Sequence, residues 1–156
     1  MKPHSTTRDK LSLLGWIVLT FAAPAAAALT PPGPWYQALN KPSWNPPAWL
    51  FAPVWTCLYL GMAVAVWLVW RKGGPRRALV LYVVQLALNA LWTPVFFGAH
   101  QTGAALAVIL ALWVAIVLTL RAFWPVSRPA GLLLAPYLGW VSFASYLNFT
   151  LWQLNR

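Results

Sequence analysis

The sequence predicts an all-α integral membrane protein, a bundle of five transmembrane helices that forms a single domain over residues 1–156. The first observation is composition, since 61% of the residues are hydrophobic and only 8% are charged, against roughly 45–50% and 25% in soluble chains. A soluble domain of this size needs a mostly polar surface, which so few charges cannot provide. The second observation is five apolar runs, each close to the ~20 residues that a bilayer span requires. Because these runs are continuously apolar, they exclude an alternating membrane β-barrel.

Short connections separate the predicted spans, except after the first. The spans are residues 11–29, 48–70, 78–98, 103–124 and 130–152. The first follows Lys2, Arg8 and Lys10 and ends in small residues, which is also typical of a signal peptide, although the run is long for one. We interpret it as a retained helix. The short later connections predict antiparallel neighbouring helices.

The basic residues divide unequally between the two ends of these spans, within a net charge of +10. Nine lie on the N-terminal side: Lys2, Arg8, Lys10, Arg71, Lys72, Arg76, Arg77, Arg121 and Arg128. Only Lys41 and Arg156 lie on the other side. Because Lys and Arg concentrate in cytoplasmic loops, this division predicts a cytoplasmic N-terminus if the membrane is a bacterial inner membrane. Short basic clusters between apolar runs are typical of membrane loops, so we expect membrane lipid, and no nucleic acid, as a partner.

The one long connection, residues 30–47, is rich in proline and aromatic residues. Its sequence is TPPGPWYQALNKPSWNPP, and its six prolines prevent a continuous helix beyond a turn at residues 36–40. Flexible linkers are rich in glycine and serine, so this composition favours a loop of fixed shape that covers one end of the bundle. The alternative is an aromatic belt, in which the tryptophans sit at the level of the lipid headgroups.

The predicted spans contain no Asp, Glu or Lys, and Arg121 lies near the end of its span. Proton pumps and ion-coupled carriers depend on intramembrane ionisable groups, so the sequence argues against both. It also offers no acid–base pair or catalytic triad for hydrolysis, and no catalytic residue is predicted on this basis. Cys57, His4 and His100 are too far apart in the sequence to suggest a metal-ligand cluster. We therefore expect neither a metal site nor an obligatory cofactor.

Aromatic and neutral polar residues recur at helical spacing in three spans. These stripes are Trp55, Tyr59 and Met62 in the second span, Tyr82, Gln85, Asn89, Trp92, Thr93 and Phe96 in the third, and Tyr137, Trp140, Ala144 and Asn148 in the fifth. Because an amide that faces hydrocarbon is costly, the stripes are expected to point into the bundle. They predict either a pocket for a large, flat, apolar ligand or a closely packed aromatic core. Gln85 and Asn89 act either as ligand contacts or as hydrogen-bonding residues between helices.

Small residues recur at every fourth position in two spans. The rows are Gly103, Ala107, Ala111 and Ala115 in the fourth span, and Gly131, Ala135 and Gly139 in the fifth. Such rows allow helix backbones to approach closely. They predict either a homodimer interface or close helix contacts within one chain.

Three segments carry a resemblance to a known family. They are WYQALNKPSWNPPAWLFAPVWTCLY, QLALNALWTPVFFG and PYLGWVSFASYLNFTLW. In this order and at this chain length they resemble the TspO/translocator-protein family, also called tryptophan-rich sensory proteins or peripheral-type benzodiazepine receptors. The resemblance covers nearly the whole chain after the N-terminal tail. It implies a five-helix bundle, often dimeric, that binds porphyrins and, in some members, cholesterol or benzodiazepine-type drugs.

The resemblance also implies which residues line the ligand cavity. They are Trp55, Tyr59, Asn89, Trp92, Thr93, Trp140, Phe143 and Ala144 on the helices, covered by Tyr36, Trp44 and Pro46 of the loop. The implied function is a membrane receptor, sensor or transport-related protein for protoporphyrin-type tetrapyrroles and drug-like apolar ligands. One alternative is a light- and oxygen-dependent porphyrin-degrading enzyme, with Trp55 and Trp140 in radical chemistry. Further alternatives are a sterol-binding protein and a regulatory interaction protein that acts through the basic face.

Sterol binding has weaker support than porphyrin binding. Phe149 takes the place of the tyrosine in the family's C-terminal cholesterol consensus, and the nearest following base, Arg156, is distant. The reversed pattern of Arg77, Tyr82 and Val84 is present, but such patterns are weak signals.

Overall fold

A computed structural model describes residues 6–156, so Lys2 and His4 lie outside the described residues. The predicted all-α bundle of five membrane-length helices is confirmed. The five long helices are α1 (Thr6–Ala27), α3 (Ala48–Arg71), α4 (Arg76–Thr93), α5 (Thr102–Phe123) and α6 (Arg128–Leu154), and a short helix, α2 (Pro34–Ala38), lies in the proline-rich loop. Residues 94–98 extend α4 as a π-helical turn.

The first helix begins before the predicted apolar span, within the polar stretch that precedes Leu11. The reason is that its polar residues are paired: Asp9 Oδ2 lies 3.3 Å from Nη2 of Arg71 on α3. The indole N–H of Trp67 donates to the backbone oxygen of Asp9 and to the Ser12 hydroxyl, both at 3.2 Å. Hydropathy cannot show these contacts, which join α1 to α3. In the structure α1 is part of the bundle, and its retention in the mature protein stays a prediction.

The five long helices form a closed ring in the order α1, α3, α6, α5, α4. Consecutive helices α5 and α6 pack along each other, as do α4 and α5, whereas α3 and α4 meet only briefly and α1 contacts both. The hydroxyls of Thr20 on α1 and Tyr82 on α4 lie 2.5 Å apart and form a buried hydrogen bond. This ring leaves a space at the centre of one half of the bundle, and that space is the candidate site.

The end of α3 is fixed by two glycines. Gly73 has a φ of 66°, in the left-handed region, and its N–H donates to the backbone oxygen of Trp70 at 3.0 Å. The N–H of Gly74 donates to the oxygen of Val69 at 2.9 Å. Together these bonds form a Schellman motif, which satisfies the last carbonyls of the helix. The short connection to α4 follows directly.

The small-residue rows divide between contacts inside the bundle and the outer surface. A Cβ placed on Gly103 lies 2.9 Å from the Trp152 side chain, and one placed on Gly131 lies 2.5 Å from the Trp124 side chain. Both glycines therefore pack within the chain. Ala107 and Ala111 are exposed, and the position of a Cβ on Gly139 is open. Homodimer formation through the outward residues stays a prediction.

Gly131→Ala is expected to lower the free energy of unfolding by about 1–3 kcal/mol, the usual cost of overpacking, because the new methyl group overlaps the Trp124 ring. Gly139→Ala is the matched control, since it makes the same change on the same helix in open space. Alanine is the better helix former, so the control melts at the wild-type temperature or above it. Thermal unfolding in detergent, followed by circular dichroism, measures both variants. Equal melting temperatures for the two variants contradict the packing argument.

Candidate functional site

A cavity of about 720 Å³ lies in the half of the bundle that is covered by the loop. All five long helices contribute to its wall, and the loop contributes Tyr36, Lys41, Asn45 and Pro46 among others. Most of the lining atoms belong to aromatic and aliphatic side chains. Ligand-binding cavities commonly have volumes of about 300–1,000 Å³ and are mostly apolar with a few polar groups. The cavity therefore has the size and character of a site for a large apolar molecule.

Nine of the eleven predicted site residues line this cavity. They are Tyr36, Pro46, Trp55, Tyr59, Asn89, Trp92, Thr93, Trp140 and Ala144. Trp44 and Phe143 do not line it and form an outer layer instead. Trp44 stacks on Tyr146, with ring centres 5.3 Å apart and planes at 13°, and its ring centre lies 6.0 Å from that of Phe143. Phe143 in turn lies against Trp140, at 5.4 Å between ring centres.

A hydrogen-bonded chain of two tyrosines and two amides crosses the bundle, and two of its members line the cavity. The Tyr59 hydroxyl donates to Asn89 Oδ1 at 2.5 Å, and Asn89 Nδ2 donates to the Tyr137 hydroxyl at 2.8 Å. The Tyr137 hydroxyl donates to Gln85 Oε1 at 2.8 Å. All four residues are buried. The chain joins α3, α4 and α6, so both amides do hold helices together, while Asn89 alone of the two also lines the cavity.

A third amide, Asn148, fixes one aromatic wall of the cavity. Asn148 Oδ1 accepts the indole N–H of Trp92 at 2.9 Å, and its Nδ2 donates to the backbone oxygen of Thr102 at 2.8 Å. Trp92 also stacks on Phe96, with ring centres 4.8 Å apart. These contacts leave Trp92 little rotational freedom, so the wall is preformed.

The loop is attached to the bundle at several points. Trp35 stacks on His100, with ring centres 4.3 Å apart, and Tyr36 packs edge-on against Phe97 at 5.2 Å. The Asn155 side chain accepts from the backbone N–H of Asn40 at 2.8 Å and donates to the oxygen of the same residue at 2.9 Å. This pair of hydrogen bonds joins the loop to the residue that follows α6. The loop has a defined shape over the cavity.

Lys41 is held by the loop itself. Its Nζ donates to the backbone oxygens of Tyr36 at 2.6 Å, Gln37 at 3.2 Å and Leu39 at 3.3 Å. It also lies 4.6 Å from the centre of the Tyr36 ring. An ammonium group has three protons to donate, so these carbonyls at the end of α2 use its whole donor capacity. Burial raises the pKa of the Tyr36 phenol above its usual 10.0, so its hydroxyl remains protonated.

Three polar atoms of lining residues have no hydrogen-bond partner among residues 6–156. They are the indole N–H of Trp140, Oγ1 of Thr30 and Oδ1 of Asn45, and all three atoms are buried. Unpaired buried polar groups are rare and costly. A ligand with a polar group at this wall would satisfy one of these atoms.

His100, the histidine that lies within residues 6–156, does not line the cavity. It follows the π-helical turn, with a φ of 57°, and is not among the lining residues. Within residues 6–156, no three His, Cys, Asp or Glu side chains lie close enough to hold a metal ion. Cys57 is exposed. The prediction that no metal is bound stays a prediction.

Tyr82 of the reversed sterol pattern points into the bundle. It is fully buried, pairs with Thr20 and stacks on Phe123 with ring centres 6.1 Å apart. Arg77 and Val84 of the same pattern are exposed. The three residues therefore do not form one surface that a sterol in the bilayer can contact.

Sequence reasoning missed several parts of the lining. The cavity is also lined by Pro24 and Ala27 on α1, by Ala28 directly after it, and by Ile109 and Leu112 on α5. Small and aliphatic residues look the same whether they face lipid or a cavity, so no sequence signal identifies them. Phe51 and Phe97 were also missed, and here a signal exists, because Phe51 lies one helical turn before Trp55.

The fold and this cavity together define a multi-pass membrane protein with a preformed, loop-covered aromatic site inside a five-helix bundle. The sequence profile of the TspO/MBR family matches residues 11–153. The chain belongs to this family.

Relatives from distant organisms support the assignment. The tryptophan-rich protein TspO of Chlorobaculum tepidum is 53% identical over 137 residues, which cover 84% of this chain and 87% of that protein. The tryptophan-rich sensory protein of Cereibacter sphaeroides is 44% identical over 144 residues, covering 89% and 91%. The translocator protein of Homo sapiens is 45% identical over 127 residues, covering 78% and 75%.

Proposed function

We propose that this protein binds a protoporphyrin-type tetrapyrrole in the cavity and acts as a membrane sensor or in the movement of that ligand. The observation that carries the proposal is the loop-covered cavity of about 720 Å³ with aromatic walls. A flat aromatic macrocycle stacks on aromatic side chains and gains the free energy of apolar burial. The names of the relatives, sensory protein and translocator protein, support these two roles. Drug-like apolar molecules fit the same wall.

The proposed binding mode places the ring between Trp55 on α3 and Trp140 on α6, which both line the cavity. The free indole N–H of Trp140 donates a hydrogen bond to the ligand. The anionic propionates are expected at the loop end, where water is near. Lys41 is the one charged residue of the lining, but its ammonium already donates to three backbone oxygens. The deep half of the cavity is neutral and receives the apolar part.

Titration of the detergent-purified protein with protoporphyrin IX, followed by porphyrin absorbance, tests the proposal. The wild type is expected to bind one ligand per chain, and Trp140→Phe about 2- to 10-fold more weakly, the value of one hydrogen bond. Trp113→Phe is the matched control, because Trp113 is exposed and its N–H donates to Ser142. Binding no tighter than to an unrelated membrane protein, or equal loss in both variants, refutes the proposal.

Lys41→Ala is expected to weaken binding of protoporphyrin and of its neutral dimethyl ester to a similar degree, by about 3- to 10-fold. The reason is that the ammonium holds the loop through three backbone oxygens, so its removal loosens the cover for any ligand. Parallel titrations with acid and ester measure the effect. A loss confined to the acid instead shows that the ammonium contacts the propionates.

Metal-free protoporphyrin is expected to bind at least as tightly as haem. No imidazole lines the cavity within the described part of the chain, since His100 stacks on Trp35 instead. Any tetrapyrrole is then held by stacking and not by an axial histidine. Competition between the two ligands is the measurement. A haem spectrum typical of histidine ligation that disappears in His100→Ala contradicts this expectation.

A photo-oxidative degradation of the porphyrin, with dioxygen as the oxidant, is the second candidate function. The favouring observation is that both oxidisable residues proposed for it, Trp55 and Trp140, line the cavity. Illumination of the protein–porphyrin complex in air tests it. Products identical to those of porphyrin in detergent alone refute it, and distinct products that are lost in Trp140→Phe support it.

A further inference from the structure

A second concave region lies on the outside of the bundle, at the end opposite the loop. It is an open groove of about 480 Å³ between the start of α4 and the end of α5. Its lining residues are Arg77, Leu81, Leu118, Arg121 and Ala122. None of them lines the aromatic cavity. The two sites are therefore separate.

The groove is basic at the end of the bundle and apolar toward the bilayer. Arg77 lies in the first turn of α4 and Arg121 in the last turn of α5. Leu81 lies one turn deeper on α4, and Leu118 lies deeper on α5 with 46% of its surface exposed. A ligand that fills this groove must have an anionic part next to an apolar part.

Among residues 6–156, neither arginine of the groove forms an ion pair with a carboxylate. The sequence contains a single acidic residue, Asp9, and its carboxylate pairs with Arg71. Arg77 and Arg121 are exposed. The ion pair that forms across residues 6–156 joins Asp9 and Arg71. The charges of the two exposed arginines remain available to an external anion. A guanidinium group binds phosphate through two parallel hydrogen bonds.

The surroundings of the groove add to its attraction for anions. The basic residues described at this end of the bundle are Arg8, Lys10, Arg71, Lys72, Arg76, Arg77, Arg121 and Arg128. Such a basic surface attracts anionic lipid headgroups to this end of the bundle. Basic pockets between transmembrane helices are known to bind anionic headgroups.

We propose that this groove binds an anionic phospholipid, with its phosphodiester between Arg77 and Arg121 and an acyl chain along Leu81 and Leu118. A free phosphate satisfies the arginines but leaves both leucines uncovered. An acidic protein segment along both leucines would bring its backbone polar groups into the bilayer, where they are costly to leave unpaired. A phospholipid supplies both the anionic group that the arginines require and the apolar chain that covers the leucines.

Native mass spectrometry of the full chain in detergent, titrated with phosphatidylglycerol or phosphatidylcholine of identical acyl chains, tests this proposal. The wild type is expected to bind phosphatidylglycerol more tightly. Removing both charges, in R77Q/R121Q, is expected to weaken that binding about 10- to 30-fold, as two lost headgroup contacts predict. K72Q/R76Q is the matched control, because it removes two exposed charges from the same end but leaves the groove intact. It is expected to change binding less than about 2-fold.

Several results overturn the proposal. Unchanged binding in R77Q/R121Q excludes the groove, and equal losses in both double variants show a diffuse surface potential instead. Displacement of the lipid by millimolar inorganic phosphate shows that only the anion is recognised. Tighter binding of a polyglutamate peptide than of phosphatidylglycerol identifies an acidic protein partner. Porphyrin titration of the same variants is a check on folding, because none of the four residues lines the aromatic cavity.

Discussion

Replacing Asn89 by alanine is expected to destabilise the bundle and to weaken ligand binding together. The substitution removes the acceptor of the Tyr59 hydroxyl and the donor to the Tyr137 hydroxyl. A buried polar group left without a partner costs about 1–3 kcal/mol, and the Tyr59 hydroxyl is in that position. Tyr137 still donates to Gln85. We therefore expect a loss of about 1–3 kcal/mol in the free energy of unfolding.

Gln85→Ala separates the two roles of this hydrogen-bonded chain. It removes the acceptor of the Tyr137 hydroxyl, so it is expected to cost a similar amount of stability. Gln85 does not line the cavity, whereas Asn89 and its partner Tyr59 do. Asn89→Ala is therefore expected to weaken protoporphyrin binding about 5- to 10-fold, since the wall loses about 1 kcal/mol of ligand contacts, and Gln85→Ala about 2-fold or less.

Thermal unfolding in detergent and porphyrin titration on the same samples measure these effects. Equal losses of affinity in the two variants, in proportion to equal losses of stability, contradict a ligand role for Asn89. The amide is then only a link between helices, as interhelical amides commonly are.

The sequence predicts the bundle and much of the aromatic wall because both depend on simple periodicities. A span of apolar residues has to be a helix in lipid, and residues three or four apart share a face. Trp55 and Tyr59, or Trp140 and Ala144, are related in this way and line the cavity together. The polar stripe of α4 places Asn89 in the same wall.

The details that the sequence does not predict depend on contacts between distant residues. Phe143 lies three residues after Trp140, yet it packs on the side of the loop, where Trp44 contacts it. Motif resemblance cannot separate a residue of the wall from the one behind it. The start of α1 depends on the ion pair of Asp9 with Arg71, which hydropathy does not detect.

Lys41 is another residue whose contacts, here within the loop, the sequence does not predict. As the one charged residue of the lining, it is the residue that charge alone would assign to the ligand's carboxylates. The structure shows that the carbonyls at the end of α2 occupy its three donor positions. Proline fixes the loop backbone, but which side chain satisfies the exposed carbonyls depends on how the loop folds. Its role is therefore to hold the loop.

Ala144→Thr is expected to weaken protoporphyrin binding about 5- to 150-fold, because it adds a methyl and a hydroxyl group to the cavity wall. Ala144 lies one turn from Trp140 on α6, and both line the cavity. Added atoms in a closely packed contact cost about 1–3 kcal/mol, which gives that range of affinity. The hydroxyl can bond to the helix backbone four residues earlier, as Ser142 and Ser145 do in the same helix, so the folded state tolerates the change.

Ala111→Thr is the matched control for this prediction, since it makes the same substitution at an exposed helical position, on α5, outside the cavity. Threonine is a slightly poorer helix former than alanine, so both variants share a small loss of stability. Only Ala144→Thr narrows the space between the wall and the ligand. Porphyrin affinity that is unchanged in Ala144→Thr, with wild-type melting, shows that the ligand does not reach this part of α6. Affinity that falls in Ala144→Thr alone places the macrocycle against the small-residue gap beside Trp140.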